Sequence, residues 1–297
     1  MSFIAFSEQY KPTLEACLQK TLHFELSDPR YLLANAMRYS VMAPGKRIRP
    51  LLALAVFQLF SSDIDRILPL ACAVELIHVY SLIHDDLPAM DDDDYRRGQL
   101  TCHKKFGEDI AVLAGDTLNT YAFELLAQEL PRYYSLEKTL HVIREFAQAL
   151  GILGMAGGQV LDLKSPEAER DVDYLETTHR LKTGVLLKTC IVLPAYLEDA
   201  SATERAYLAQ FGEHLGMLFQ IVDDILDVVG SQDELGKSIQ KDIAQNKLTY
   251  VSYWGLDKAR SLAQAEADAA LVCLDAIRPR SSAVLEDLIG YLTQRTS

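Results

Sequence analysis

Apolar positions recur along this chain with the spacing of one helix face after another. Leu51, Leu54, Ala55, Gln58 and Leu59 fall at i, i+3, i+4, i+7 and i+8 of one stripe, and Leu208, Phe211, Leu215 and Leu218 repeat the pattern. The periodicity predicts helices over residues 7–24, 30–42, 49–60, 66–86, 108–129, 136–152, 172–195, 203–229, 247–254, 257–277 and 281–295. No run alternates as a strand does, and no Asn-Gly or Asp-Gly pair marks a hairpin. Pro29, Pro44, Pro88, Pro131, Pro166 and Pro279 punctuate short polar connections. With no long linker and no solenoid repeat, the pattern predicts an all-α protein, residues 1–297 forming one helical domain.

Composition supports a globular chain: 49% of the 297 residues are hydrophobic and 24% charged. A formal net charge of −13 argues against nucleic acid or an anionic membrane as partner. The five cysteines, Cys17, Cys72, Cys102, Cys190 and Cys273, form no C-x-x-C pair. A thiolate metal site or disulfide framework is not expected, and a reducing cytoplasm is. The N-terminal Phe3, Ile4 and Phe6 lack the basic flank and apolar core of a signal peptide. The charge-free stretch 146–161 is too short and glycine-rich to span a bilayer, so no stable membrane association is expected.

The acids are not evenly spread. Asp85, Asp86, Asp91, Asp92, Asp93 and Asp94 crowd one segment, and Asp223, Asp224 and Asp227 another. Pro88 should end the first apolar helix near Asp86, which leaves Asp85 in its last turn. A carboxylate there opposes the helix dipole by roughly 0.3–1 kcal/mol. Neighbouring carboxylates about 4 Å apart add about 1 kcal/mol of repulsion in water and about 4 kcal/mol at an effective dielectric near 20. A bound cation would offset both, and an all-oxygen donor set points to Mg²⁺ or Mn²⁺. In the second cluster Asp223 and Asp227 share a helix face with Gln220, amid Leu218, Phe219, Ile221, Val222, Ile225 and Leu226. One acidic run is by default a solvated face; two such clusters on apolar helices are not. The D-x-D-x-D-G spacing of an EF-hand is absent.

Cations stand near these acids in the sequence. Lys46, Arg47 and Arg49 follow Gly45, Arg96 and Arg97 follow the first cluster, Lys182 precedes Thr183 and Gly184, and Lys237 and Lys247 follow the second cluster. They suit anion clamps, because a guanidinium matches phosphate oxygens two at a time. Arg96 and Arg97 also serve to neutralise the aspartates beside them. Gly45-Lys46-Arg47 is not a P-loop, and Gly154, Gly157 and Gly158 are not a Rossmann fingerprint. These glycines are expected to permit close helix packing or a backbone break. Carboxylates for a divalent ion and cations for phosphate are the two halves of a metal–diphosphate site.

Taken in order, Gly45-Lys46-Arg47-Ile48-Arg49-Pro50, Asp85-Asp86-x4-Asp91 with Arg96-Arg97-Gly98, Gly157-Gly158-Gln159-x2-Asp162, Lys182-Thr183-Gly184, and Phe219-Gln220-x2-Asp223-Asp224-x2-Asp227 with Lys237 and Lys247 span nearly the whole chain. In this arrangement the chain resembles the trans-type isoprenyl (polyprenyl) diphosphate synthases. Its stretch from His78 to Asp91 is close to the pattern of the bacterial farnesyl diphosphate synthase (geranyltranstransferase) subgroup.

The resemblance implies an all-α isoprenoid synthase fold around a central cavity, a homodimer, Mg²⁺, and two substrates: isopentenyl diphosphate and dimethylallyl or geranyl diphosphate. Carried over by position, it makes Asp85, Asp91 and Asp223 metal ligands, with Asp86 and Asp227 acting indirectly. Arg96, Lys182 and Lys237 become clamps on the allylic diphosphate, with Lys247 a weaker fourth. Gly45, Lys46, Arg49, His78 and Arg97 become the isopentenyl diphosphate site. Thr183 and Gln220 face the reacting carbon, and Gln159 and Asp162 are weaker candidates. Asn246 stands where many relatives have glycine before the second lysine. Tyr80, five residues before Asp85, is the expected floor for the growing chain, beside the small Ser81. Farnesyl diphosphate is the expected product. The alternatives are the same chemistry giving geranyl or geranylgeranyl diphosphate, a terpene synthase that ionises one allylic diphosphate, and a non-enzymatic helical scaffold for divalent ions.

Overall fold

The structure is a computed structural model that describes residues 1–164, 171–233, 249–277 and 280–294. As expected, it is almost entirely helical. Two compact units are present, one of residues 5–143 and the other of residues 1–4 with 144–297.

The first unit contains α1 (Phe3–Thr21, from Ala5 onward), α2 (Tyr31–Val41), α3 (Ile48–Phe57), α4 (Leu68–Asp85), α5 (Cys102–Phe106) and α6 (Glu108–Glu129). The helix α4 is apolar almost all round and lies in the core, with Leu70, Ala73, Val74 and Ile77 fully buried. It packs chiefly on α6 and also on α3. Its length and composition would let it cross a membrane; its burial shows a core helix instead. Pro88 ends it as expected, Asp85 being its last residue and Asp86 its cap.

Between α4 and α5 lies a two-residue hairpin, β1 (Tyr95–Arg96) and β2 (Gln99–Leu100), which periodicity did not predict. Its turn is Arg97-Gly98, with φ of 54° and 79°. Both central residues are left-handed, as a tight hairpin turn requires, but only the second is glycine.

The boundary between the units falls within α7 (Leu136–Leu150). The second unit continues with α8 (Met155–Lys164), α9 (Val172–His179), a π-helical turn (Arg180–Gly184), α10 (Val185–Leu197), α11 (Ala202–Asp233), α12 (Tyr250–Trp254), α13 (Leu256–Asp275) and α14 (Ala283–Gln294). The predicted helix over 172–195 is thus three segments, and α5 and α8 are helices the periodicity missed. Long α11 is the spine, packed on α10 and α13.

Arg47 was expected to bind an external anion, and the structure places it inside instead. Its side chain is 1% exposed. Its Nη1 donates to Glu75 Oε1 of α4 at 2.5 Å, its Nε to Glu15 Oε1 of α1 at 2.8 Å, and its Nη2 to the carbonyls of Val41 and Ala43. One guanidinium thereby joins α1, the end of α2, α3 and α4. Replacing Arg47 with Met would leave the Glu75 carboxylate buried without its cation. The expected loss is about 3–5 kcal/mol of unfolding free energy, read from the denaturant midpoint at constant m-value.

Candidate active site

The first unit brings four sequence-predicted residues together. Arg49 enters on the first turn of α3, and His78 faces it from α4, with Arg49 Nη1 3.5 Å from His78 Nε2. Arg97 reaches the same nitrogen from the hairpin turn, its Nη2 at 3.4 Å. Gly45 forms the fourth side: a Cβ there would sit 2.6 Å from Arg97 Nη1, so any side chain would make the guanidinium shift from its present place. Burial first, then the charges of Arg49 and Arg97, hold the His78 imidazole well below its ordinary pKa. Neutral His78 accepts through Nε2 from both guanidiniums, which leaves its proton on Nδ1. Burial and the nearby cations Arg47, Arg96 and Arg49 also lower the pKa of Arg97, although Glu75 opposes this. Such crowding of like charge favours an incoming anion with several oxygens. Lys46 lies exposed at the rim.

The aspartate loop doubles back on the end of α4. Asp91 N donates to Asp85 O at 2.9 Å and Asp93 N to Asp86 O at 3.3 Å, with Asp92 left-handed at φ 51°. This sets Asp91 against Asp85, although five residues separate them in sequence. Asp86 is turned the other way. It is 3% exposed and takes Arg96 Nε at 2.7 Å and Nη2 at 2.6 Å. Burial raises its pKa despite Arg96. Arg96 and Arg97, neighbours in sequence, therefore diverge, one to the acid loop and one to the His78 cluster.

In the second unit Lys182 and Thr183 occupy the π turn. An extra residue in a helical turn is a common mark of a functional site. Lys182 Nζ is held by Asp162 Oδ2 of α8 at 2.6 Å. The two elements touch because Gly158 lacks a side chain, any Cβ there running into the backbone of Leu181 and Lys182. Gly158 thus serves close packing, while Gly154 and Gly157 face the local backbone of Ala149 and Ile152. On α11, Gln220 and Asp223 are half-buried and Asp227 is exposed. Asp224, given no role beforehand, is buried and accepts from Tyr250 N at 2.8 Å, which ties α11 to α12. Burial pushes its pKa up to about 7, with Tyr250 N–H and Gln220 opposing.

Residues 30–282 match the family model for polyprenyl synthetase. The chain belongs to the polyprenyl synthetase family. It is 43% identical over 256 residues to the farnesyl diphosphate synthase of Bacillus subtilis, covering 86% of each protein. It is 44% identical over 262 residues to a chloroplastic geranylgeranyl pyrophosphate synthase of Catharanthus roseus, covering 88% of this chain and 73% of that one. Among solved structures, the FPP/GFPP synthase of Zymomonas mobilis superposes with a TM-score of 0.86 at 36% identity, covering 98% of each chain. The geranyltransferase of Legionella pneumophila gives 0.88 at 30% identity, covering 99% of this chain and 97% of that one.

In this polyprenyl synthetase family member, Tyr80 is half-buried on α4, a turn and a half from Asp85, its ring edge-on to His84. Ser81 turns its hydroxyl to the His78 carbonyl at 2.9 Å. Lys237, Asn246 and Lys247 lie outside the described residues. Among the described residues, no three His, Cys, Asp or Glu side chains gather closely enough to hold a metal alone. Asp85, Asp91 and Asp223 offer only oxygen donors, the donor chemistry that a hard ion such as Mg²⁺ takes alongside water and phosphate. A Gly45→Ala substitution should displace Arg97 and weaken inorganic pyrophosphate binding by roughly ten- to a hundredfold in calorimetry, the worth of one charge-assisted hydrogen bond.

Proposed function

We propose that this chain is a Mg²⁺-dependent prenyltransferase that condenses isopentenyl diphosphate head-to-tail with dimethylallyl or geranyl diphosphate, giving farnesyl diphosphate and pyrophosphate. Family membership carries the prenyltransferase chemistry; substrates, metal, residue roles and product are our reading. The observation that supports it is the divergence of Arg96, which stands on Asp86, from Arg97, which stands with Arg49 at His78. A terpene synthase, which ionises a single diphosphate, has no use for the second grouping.

On this reading Gly45, Lys46, Arg49, His78 and Arg97 grip isopentenyl diphosphate. Arg96 and Lys182, with Lys237 and Lys247 in the undescribed segment, grip the allylic diphosphate. Asp85, Asp91 and Asp223 would hold Mg²⁺, with Asp227 acting indirectly, and the ion would supply Lewis-acid stabilisation of the departing diphosphate. Asp86 and Asp162 act earlier, by holding Arg96 and Lys182 ready. As the allylic C1–O bond breaks, the Thr183 hydroxyl and Gln220 carbonyl offer oxygen to the cation. The isopentenyl double bond attacks C1, and the proton released passes to pyrophosphate. His78 is a poor base for it, because two guanidiniums share its lone pair. Tyr80 stops growth at fifteen carbons. Relatives named for fifteen- and twenty-carbon products match this chain almost equally well, so product length rests on Tyr80.

A homodimer belongs to the same proposal, with Val112 and Leu113 of α6 (41% and 50% exposed) offering an apolar face. A cytoplasmic location fits cysteines none of which forms a disulfide.

Labelled isopentenyl diphosphate incubated with geranyl diphosphate and Mg²⁺ should yield a fifteen-carbon product. Folded protein that makes none would sink the proposal, and consumption of geranyl diphosphate without isopentenyl diphosphate would favour a terpene synthase. Arg97→Ala should raise KM for isopentenyl diphosphate by roughly ten- to a hundredfold while leaving that for geranyl diphosphate within about twofold. Tyr80→Ala should lengthen the product; an unchanged chain length on chromatography would remove Tyr80 as the floor.

A further inference from the structure

His84 stands one turn beyond Tyr80 on the same face of α4, and the proposed reaction gives it no task. Three observations fix its place. Its Nε2 lies 3.1 Å from the Val112 carbonyl of α6. A carbonyl only accepts, so Nε2 carries a proton and donates. The ring rests directly on the α6 backbone at Gly115: a Cβ there would fall among Nε2, Cδ2 and Cε1 of His84. The Asp116 carboxylate, on the following residue, is 3.9 Å from the same nitrogen. Val112, Gly115 and Asp116 are i, i+3 and i+4, so one face of α6 forms a seat shaped for this imidazole.

The seated ring bears on Tyr80. The two ring centroids are 5.6 Å apart and the planes 88° apart, an edge-to-face contact. Helical side chains lean toward the N-terminus, so His84 reaches back over the turn that carries Tyr80. Tyr80 is only half-buried, and a phenol there has other rotamers open to it. His84 removes that freedom on one side, and His84 is itself immobilised by α6 rather than by α4.

We infer that His84, seated on Gly115 and the Val112 carbonyl, is a positioning residue for product length: it fixes the orientation of the Tyr80 ring and so the depth at which the growing prenyl chain is stopped. The inference rests on Tyr80 being the floor. It adds that α6 sets product length at second hand, and that a glycine far from Tyr80 in sequence is a specificity determinant.

The test compares product ratios rather than rates. His84→Ala, Gly115→Ala, Tyr80→Ala and the double variant His84→Ala/Gly115→Ala are supplied with geranyl diphosphate, excess isopentenyl diphosphate and Mg²⁺, and the ratio of the next longer product to the main product is read by chromatography. His84→Ala and Gly115→Ala should each shift this ratio by about two- to tenfold, the range an aromatic pair controls. Gly115→Ala should add nothing in the His84→Ala background, because the ring it displaces is gone. Loss of rate or stability with an unchanged ratio, while Tyr80→Ala still lengthens the product, would overturn the positioning role alone. An unchanged ratio in Tyr80→Ala would overturn the floor and this inference with it. Should Gly115→Ala not fold, His84→Phe decides: it keeps an edge-on ring but cannot donate to Val112, and a shifted ratio supports the seat while a wild-type ratio overturns it.

Discussion

The first unit is organised around one buried ion pair. Arg47 and Glu75 are each 1% exposed in their side chains, and a charge so placed is stable only while its partner stays. The pair therefore fixes the register of α3 against α4, and the chemistry inherits that register. Arg49 lies two residues beyond Arg47, and His78 one helical turn beyond Glu75, so locking one couple brings the other within reach. Arg47 itself is left-handed at φ 52°, just before α3 begins. That unfavourable backbone is held by two carboxylates and two carbonyls at once, which is why the entry to α3 is a fixed point.

Charge is handled in two ways across the chain. Arg96 and Lys182 each stand on a resident carboxylate, Asp86 and Asp162, which holds the cation in place before any ligand arrives. The Arg49–His78–Arg97 cluster instead gathers cationic and neutral nitrogen, and its cost shows in the lowered pKa values of His78 and Arg97. The first arrangement holds the cation oriented while its carboxylate partly offsets its charge. The second suits a bare diphosphate, whose charge relieves the crowding directly.

Much of this was legible in the sequence, and the rest was hidden for identifiable reasons. Long runs such as α6 and α11 were visible because burial on one face imposes a spacing, and α4, apolar almost all round, because its run is too long for a strand. The five-residue α5 is too short to show one, and α8 carries Gly157-Gly158 where an amphipathic helix would carry side chains. The π turn at Lys182 sits inside a run whose apolar spacing continues on both sides, so it leaves no mark on periodicity. The Arg97-Gly98 hairpin lacks the Asn-Gly or Asp-Gly signature, because Arg97 takes the left-handed conformation itself. Only the family resemblance, not spacing, grouped Gly45, Arg49, His78 and Arg97, and the structure places these four side by side. Arg47 was misread because its decisive partner, Glu75, is 28 residues away on an otherwise apolar helix.

The helix α4 also shows how a family can vary its product without disturbing its chemistry. At about 100° per residue, His78, Ser81 and Asp85 fall on one stripe, while Tyr80 and His84 fall on another, roughly a third of a turn around. The first stripe meets Arg49, Arg97 and the aspartate loop; the second meets α6 at Val112 and Gly115. Residues on the second stripe can change in size without moving the first. Relatives named for a farnesyl and a geranylgeranyl product are 43% and 44% identical to this chain, so overall similarity does not carry the difference. On the proposed reading, the Tyr80–His84 stripe with its seat on α6 is a set of positions that can carry it.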